Sequence, residues 1–205
     1  MKDAPKLTQS ERKRAAIITA AAQEFRVAGF AATSMDRISE RASVSKRTVY
    51  NHFDGKEALF QAILDVLWAG VHEATEVPYD PKVELEAQLR ELAMRELEML
   101  ADENYLGLAR AMMAEAIRSP ELAAKAWGDL HTREAGLTTW IRSAVAHGRL
   151  TVADPVFAAE QFTALIKAFA FWPQMIGSIP APTPRERRQL ADEAASMFLA
   201  KYRTK

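Results

Sequence analysis

The sequence contains no cysteine. This absence excludes disulfide bonds, thiolate metal sites and cysteine-based redox sensing. It is compatible with a reducing cytoplasm, and we expect a cytoplasmic protein with no membrane partner. The most apolar segment, residues 162–172, is too short to span a bilayer and is interrupted by Lys167. Residues 1–10 are polar and lack the apolar centre of a signal peptide.

The sequence also lacks the short motifs that mark many enzymes. It contains no G-x-G-x-x-G, Walker A, H-E-x-x-H or G-x-S-x-G pattern. Scattered acidic residues such as Glu96, Glu98 and Glu115 fit helix surfaces. His72 and His131 belong to no pair at metal-ligand spacing. We therefore expect no enzymatic activity, no cofactor and no metal site.

The chain has no net charge, which taken alone argues against a nucleic-acid partner. The charge is unevenly distributed, however. Residues 1–60 contain 11 Lys/Arg and 7 Asp/Glu, a net charge of +4, so the remainder of this neutral chain carries −4. A basic end on an acidic body is typical of a protein that presents one end to phosphates.

Helical periodicity and capping signals extend through the chain, and we find no strand pattern, low-complexity tract or internal repeat. The clearest break is V-P-Y-D-P, where Asp80 and Pro81 predict a new helix start. We predict an all-α fold. It has an N-terminal helix-turn-helix domain at 1–55, a connecting helix at 55–76 and a larger C-terminal helical domain at 77–205.

Other capping signals predict further helix starts. Thr8 with Glu11 and Thr183 with Glu186 have the spacing of capping boxes. The pair Asp154-Pro155 predicts a helix that runs to about residue 176, and the last helix is predicted to end near residue 202.

Residues 33–60 read T-S-M-D-R-I-S-E-R-A-S-V-S-K-R-T-V-Y-N-H-F-D-G-K-E-A-L-F, which predicts two short helices joined by a tight turn and a third helix start. Thr33 and Asp36 form a threonine-x-x-acid capping box, which places the first helix start at Ser34. Ser45 caps the second helix, whose outer face is polar and basic.

A helix of this kind suits the DNA major groove, where the first residues of a recognition helix meet the base edges. Arginine and lysine donate to guanine, asparagine pairs with adenine, and the threonine methyl meets thymine. The candidate base contacts are Ser45, Lys46, Arg47, Thr48 and Asn51. The candidate phosphate contacts are Tyr50, His52, Lys56 and the helix starts at Thr33, Ser34 and Asp54. The alternatives are an ordinary solvated helix and a module that binds protein.

Residues 12–60 read R-x-x-x-x-I-x-x-A-A-x-x-x-F-x-x-x-G-F and then T-S-M-x-x-I-x-x-x-A-x-V-S-K-x-T-V-Y-x-H-F-x-x-K-E-A-L-F. This pattern resembles the DNA-binding domain of the TetR family of one-component regulators. The resemblance implies an all-helical homodimeric repressor that leaves double-stranded operator DNA when its C-terminal domain binds a small molecule. An activator or a ligand-independent regulator on the same scaffold is equally compatible with the pattern. The family often carries glycine where this chain has Ser43, so a positive φ there would strain the serine.

The last two predicted helices are apolar on more than one face, which indicates self-association. One apolar stripe consists of Phe157, Ala164, Ala168, Phe171 and Met175. The final helix adds Leu190, Ala194 and Phe198. Burial within one chain is the alternative. In a dimer, two recognition helices would reach successive major grooves, about 34–36 Å apart, on a near-palindromic site.

Large apolar side chains of the C-terminal half are candidates to line a cavity for the small apolar or amphipathic effector that the resemblance implies. They are Trp68, Met112, Met113, Trp127, Trp140, Phe162, Phe169 and Trp172. His72 and His131 are candidate polar anchors in that cavity. Each of these residues also fits a plain core or surface role.

Overall fold

The computed structural model describes residues 8–121, 136–177 and 179–204. Ten helices lie in these ranges, and the only bridge between extended segments there joins Leu150 to Arg203. The predicted all-α fold is confirmed. The helices are α1 Gln9–Ala28, α2 Met35–Arg41, α3 Lys46–His52, α4 Lys56–Thr75, α5 Leu85–Met99, α6 Glu103–Arg118, α7 Gly136–Ala146, α8 Pro155–Ala170, α9 Trp172–Gly177 and α10 Pro184–Tyr202.

The chain divides into two compact units. The N-terminal unit comprises Met1–Leu67 with Gly107–Leu130, and the C-terminal unit comprises Trp68–Leu106 with His131–Lys205. This division differs from the boundary expected after residue 76, because most of α6 groups with the N-terminal helices. The chain passes from one unit to the other within α4 and again within α6.

The core of the N-terminal unit is built on α1. Phe25 is fully buried, and its ring packs against Phe30 and Phe60 with centroids 5.2 and 6.4 Å away. Burial of three aromatic rings and the surrounding aliphatic side chains is the main term that holds these short helices together. The same core includes Ile17, Ile18, Ile38, Val49, Phe53, Leu59, Ile63, Leu108, Ala111 and Met112.

The core of the C-terminal unit surrounds α5, whose buried positions recur at helical spacing. It includes Leu85, Leu89, Leu92, Leu97, Leu100, Leu137, Trp140, Ile141, Phe162, Ile166, Ala194, Ala195 and Phe198. The rings of Phe162 and Phe198 meet edge to face, with centroids 5.5 Å apart. In the described parts of the chain, no helix is long and apolar enough to cross a membrane.

Most predicted helix starts are confirmed. The Thr8–Glu11 and Thr183–Glu186 capping boxes are formed. Asp154 caps α8, and the last helix ends at Tyr202 as predicted. The start predicted at Asp80 is wrong. The Asp80 carboxylate accepts a hydrogen bond from the Lys82 amide at 2.8 Å, which closes a turn, and α5 begins at Leu85.

The helix predicted to run from Pro155 to about residue 176 is interrupted. α8 ends at Ala170, and α9 begins at Trp172 after an irregular Phe171. Pro173 gives the physical reason, since it has no N–H to donate and its ring crowds the preceding turn.

Candidate nucleic-acid interface

Ser45 and Val49 fix the position of α3. Ser45 is the N-cap residue, as predicted, and its side chain accepts a hydrogen bond from the Thr48 amide at 3.1 Å. Val49 is fully buried in the N-terminal core. The helix is therefore held at its first turn by the cap and at its centre by apolar packing, which leaves its other face outward.

The turn between α2 and α3 contains Ser43, the one non-glycine residue with a positive φ in the described ranges, at 54°. The mild strain expected of a serine at this position is present. Two backbone hydrogen bonds of 3.1 Å close the turn, from the Ser43 and Val44 amides to the Glu40 and Ser39 carbonyls.

The exposed side chains of α3 include four of the predicted DNA contacts: Lys46, Arg47, Tyr50 and Asn51. Thr48 and His52 are half-buried. Lys46 Nζ lies 2.7 Å from the Asp36 carboxylate, and that hydrogen bond and charge raise the pKa of Lys46. Among the residues that the structure describes, none pairs with the Arg47 side chain. The Arg47 guanidinium is therefore available to donate two hydrogen bonds to one guanine.

Thr33 does not have the capping role predicted for it. Its hydroxyl and its amide both donate to the Gly29 carbonyl, at 2.8 and 3.2 Å, and the side chain is buried. Ser34 is the cap, with its hydroxyl accepting from the Arg37 amide at 3.3 Å, so α2 begins one residue later than predicted. The Thr33 side chain and amide are thus committed to the α1–α2 turn, whereas Ser34 remains exposed.

Lys56, predicted to contact phosphate, is committed to the fold. Its ammonium group donates to the carbonyls of Phe30 and Ala31 at 2.7 and 2.9 Å and lies 5.0 Å from the centroid of the Phe30 ring. These contacts use the charge to close the α1–α2 turn. The assignment of Lys56 to phosphate is corrected to a structural role.

Arg14 is a candidate that the sequence reasoning missed. It is exposed on α1, and its guanidinium lies 5.2 Å from the centroid of the Phe53 ring, directly after the recognition helix. The run R-K-R at 12–14 was the available signal. Arg14 extends the basic surface of the unit from α3 onto α1.

Glu115 and Arg118, near the end of α6, contact the end of α1 and the turn that follows it. The buried Glu115 carboxylate accepts from the Phe30 amide at 2.8 Å and from the Ser119 hydroxyl at 3.0 Å. Arg118 donates to the carbonyls of Phe25 and Arg26 at 3.3 and 3.2 Å. The interpretation of Glu115 as helix surface is therefore wrong. Periodicity could not show this, because the contacts join positions some 90 residues apart in sequence.

Gly29 makes this contact possible. Its φ of +83° favours glycine, and a Cβ built there would lie 2.6 Å from Arg118 Nη1. Gly29, the residue after the last turn of α1, thus also provides the space that the α6 arginine uses.

The candidate effector residues are dispersed. Met112 is in the N-terminal core and Met113 is half-buried, whereas Trp140 and Phe162 are core residues of the C-terminal unit. His72 is exposed with its ring 3.5 Å from Glu76, so the structure does not bear out an interior anchor there. Phe169 and Trp172 are 61% and 45% exposed, which corrects their assignment to an internal cavity. Trp68 is half-buried. Trp127 and His131 lie outside the described residues.

The candidate dimer residues fall into three groups by their exposure. Phe157 is 53% exposed on α8, and Ala164 and Ala168 are exposed on the same helix. Phe171, Met175 and Leu190 are half-buried. Ala194 and Phe198 belong to the chain's own core, so for these two residues burial within one chain is the correct interpretation.

The fold and the exposed α3 together define a helix-turn-helix protein of the DNA-binding class. Residues 17–63 match the family described as bacterial regulatory proteins of the tetR family. Residues 87–204 match the C-terminal domain of AefR-like transcriptional repressors. The chain belongs to the TetR family of transcriptional regulators, which are DNA-binding transcription factors and not enzymes.

Individual proteins extend this similarity. A TetR family regulator from Pseudomonas syringae pv. tomato str. DC3000 is 43% identical, with a TM-score of 0.87 over 97% of this chain and 100% of that one. GusR of Salmonella enterica is 26% identical, with a TM-score of 0.69 over 96% and 98% of the two chains. The regulator RutR of Escherichia coli K12 is 25% identical over 182 residues, which is 85% of this chain and 81% of RutR.

Proposed function

We propose that the chain is a homodimeric repressor that leaves a near-palindromic operator when a small apolar or amphipathic effector binds its C-terminal unit. The observation that carries the DNA-binding part is α3 itself. Its cap at Ser45 and its anchor at Val49 leave Arg47, Tyr50 and Asn51 outward on one short helix.

The roles within α3 follow from these side chains. Arg47 and Asn51 read base edges, since both can form two hydrogen bonds to one base. Tyr50, His52 and Arg14 contact phosphates, together with the exposed start of α2 at Ser34. Lys46 has to exchange its ion pair with Asp36 for a DNA contact, so its net contribution is smaller than that of Arg47.

The dimer is supported by the exposed apolar side chains of α8 and α9. Phe157, Phe169 and Trp172 are each about half-exposed or more, and the small residues Ala164 and Ala168 on the same helix allow a second helix to approach closely. Exposed aromatic groups of this size on neighbouring helices are typical of a protein interface. A second copy gives the pair of recognition helices that a palindrome requires.

Release from DNA is supported by the path of α6. This helix begins in the C-terminal unit and ends in the N-terminal one, where Glu115 and Arg118 bind the end of α1 and the following turn. We expect an effector to favour a state in which α6 shifts and changes the spacing of the two recognition helices. The connecting helix α4, which also passes through both units, is expected to shift with it.

The test begins with selection of genomic fragments by the purified protein, followed by footprinting of the enriched sites. The expected result is one protected near-palindrome, bound by two chains per site as measured by light scattering of the complex. A protein that remains monomeric and binds no duplex better than random sequence at moderate salt overturns the proposal. A reporter under the recovered operator then separates repression from activation.

A further inference from the structure

Two buried polar side chains lie on α5, and only one of them has hydrogen-bond partners among the described residues. The Gln88 side chain donates to the carbonyls of Asp80 and Val83 and accepts from the Asp80 amide and the Trp140 indole, at 2.8–3.1 Å. Gln88 is thus a structural residue whose hydrogen-bonding capacity is used. Two turns further along α5, Glu96 is only 5% exposed, which corrects its interpretation as helix surface.

No side chain in the described parts of the chain donates a hydrogen bond to the Glu96 carboxylate. The titratable groups around it are Lys167 on α8, whose positive charge favours the ionised form, and the neutral Tyr105 on α6, whose own pKa is raised by burial and then by Glu96. Burial raises the pKa of Glu96 to about 7, because little water reaches the group and Lys167 compensates only in part. When ionised, the Glu96 carboxylate therefore has acceptor capacity that no described side chain uses.

Tyr105, the aromatic neighbour of Glu96, is itself packed against another helix. The Tyr105 ring packs against α4, where a Cβ built on Gly70 would lie 3.3 Å from two ring carbons. The buried Gln174 side chain donates to the Leu100 carbonyl, at 3.0 Å, and to the Ala170 carbonyl. Gln174 therefore joins the ends of α5 and α8. The neighbours that act on the Glu96 carboxylate thus come from two other helices, Tyr105 from α6 and Lys167 from α8.

We propose that Glu96 and Tyr105 form the polar anchor of the effector site, and that they select an amphipathic organic amine. The ammonium group binds the Glu96 carboxylate, Tyr105 supplies a hydroxyl and an aromatic face, and the apolar part of the effector packs among neighbouring core side chains. The acidic body of the chain, with net charge −4 outside residues 1–60, favours a cation over an anion. This assignment rests on the proposed function, because it names the ligand class of the effector unit.

The experiment compares three probes with one aromatic body and different head groups: phenethylamine, phenethyl alcohol and phenylacetate. Binding to the full-length protein is measured by calorimetry and by the shift in melting temperature. The amine is expected to bind ~10-fold or more tightly than either other probe, as a charge-assisted hydrogen bond to a buried acid predicts. Equal binding of the three, preference for phenylacetate, or no binding of the amine at millimolar concentration overturns the assignment.

Two glutamine variants locate the effect. Glu96→Gln is expected to lose the preference for the amine and to keep its affinity for the alcohol, while Glu98→Gln, an exposed site on the same helix, keeps both. Calorimetry at about pH 6 in two buffers of different ionisation enthalpy measures how many protons are released or taken up on binding. The wild-type protein should release protons as the amine binds, and Glu96→Gln should not. Proton release that persists in Glu96→Gln counts against the carboxylate as the anchor.

Measuring operator binding by the ligand-free protein tests the proposed function independently of the Glu96 anchor. Glu96→Gln and wild type are expected to bind the recovered operator equally without probe. A wild-type chain that binds the amine through Glu96 but no DNA contradicts the proposed repressor alone. A chain that binds DNA but shows no amine preference contradicts the anchor alone.

Discussion

The Lys56 ammonium group lies 2.7 Å from the carbonyl oxygen of Phe30 and 5.0 Å from the centroid of the ring of the same residue. One lysine at the start of α4 thus satisfies the backbone of the α1–α2 turn and covers an aromatic side chain of the core. A lysine just after a recognition helix is expected to bind phosphate, but here the charge is used by the fold.

Lys56→Met should therefore destabilise the protein and leave the salt dependence of DNA binding unchanged. Loss of two hydrogen bonds from a charged donor corresponds to roughly 1–3 kcal/mol at this half-exposed site. Urea unfolding measures the first effect, and the slope of log K against log salt measures the second. Lys13→Met, an exposed control on α1, should unfold like wild type. A salt slope reduced by about one in Lys56→Met would restore the phosphate role.

Arg47→Ala should reduce discrimination between the operator and altered sites. If Arg47 reads a guanine, the loss is ~1–3 kcal/mol at one base position and small for random DNA. Gel shifts on the operator and on single-base variants measure this difference. Arg185→Ala, an exposed arginine at the start of α10, should change neither affinity nor discrimination. Unchanged discrimination in Arg47→Ala would mean that base reading lies elsewhere on α3.

Gly136→Ala should destabilise the C-terminal unit strongly. A Cβ at this position would lie 2.8 Å from the Thr75 carbonyl carbon and 3.1 Å from the Glu76 amide nitrogen, and backbone cannot rotate away as a side chain can. We expect a loss of about 2 kcal/mol or more, as for other overpacked sites. Gly107→Ala is the matched control, because nothing lies within 4 Å of its added Cβ and the residue is inside α6. That variant should gain about 0.5–1 kcal/mol. Thermal unfolding of both variants is sufficient, and equal melting temperatures would contradict the contact.

Ser43→Gly should stabilise the turn before the recognition helix. The serine has a φ of 54°, a conformation that costs an L-residue roughly 1 kcal/mol and costs glycine very little, although glycine loses more entropy on folding. The expected net gain is ~0.5 kcal/mol in urea unfolding. Ser10→Gly, on the exposed side of α1, should lose stability because glycine is a poor helix former. Destabilisation by Ser43→Gly would show that the serine makes a compensating interaction.

Local signals were enough to predict most of the fold. The caps at Ser45, Asp154, Thr8 and Thr183 could be predicted because each side chain bonds an amide only two or three residues away. The helix start predicted at Asp80 was wrong, although its partner is also local. The Asp80 carboxylate accepts a hydrogen bond from the Lys82 amide and closes a turn instead of capping a helix. Pro173 marks the interruption of a helix that apolar periodicity alone would have continued.

The site was predictable only where its residues act locally. The outward position of Arg47 follows from helix spacing around Val49. The roles of Lys56 and Glu115 do not, because their partners on the α1–α2 turn are distant in sequence. The sequence pattern of an amphipathic helix likewise does not show which of its single polar residues are buried. Glu96 lies on the apolar face of α5, and only the folded structure shows that it is buried.

Glu96 should make folding stability depend on pH. Its pKa is about 7 in the folded chain against 4.5 as the ordinary value, and the largest cause is burial. Because the folded state holds the proton more tightly, the stabilisation is fully present below pH 4.5 and is lost as pH rises to about 7. The shift corresponds to about 3 kcal/mol, an order-of-magnitude figure.

Glu96→Gln tests this directly, since glutamine keeps the shape and cannot ionise. The variant should gain stability relative to wild type at about pH 8, and the difference should shrink towards about pH 5. Urea unfolding across this range measures the effect, with the exposed Glu98→Gln following the wild-type profile. A constant difference at every pH would show that Glu96 does not titrate in this range. A loss of stability at high pH would mean that the ionised carboxylate has a donor in the folded chain, and that Lys167 is then its best candidate.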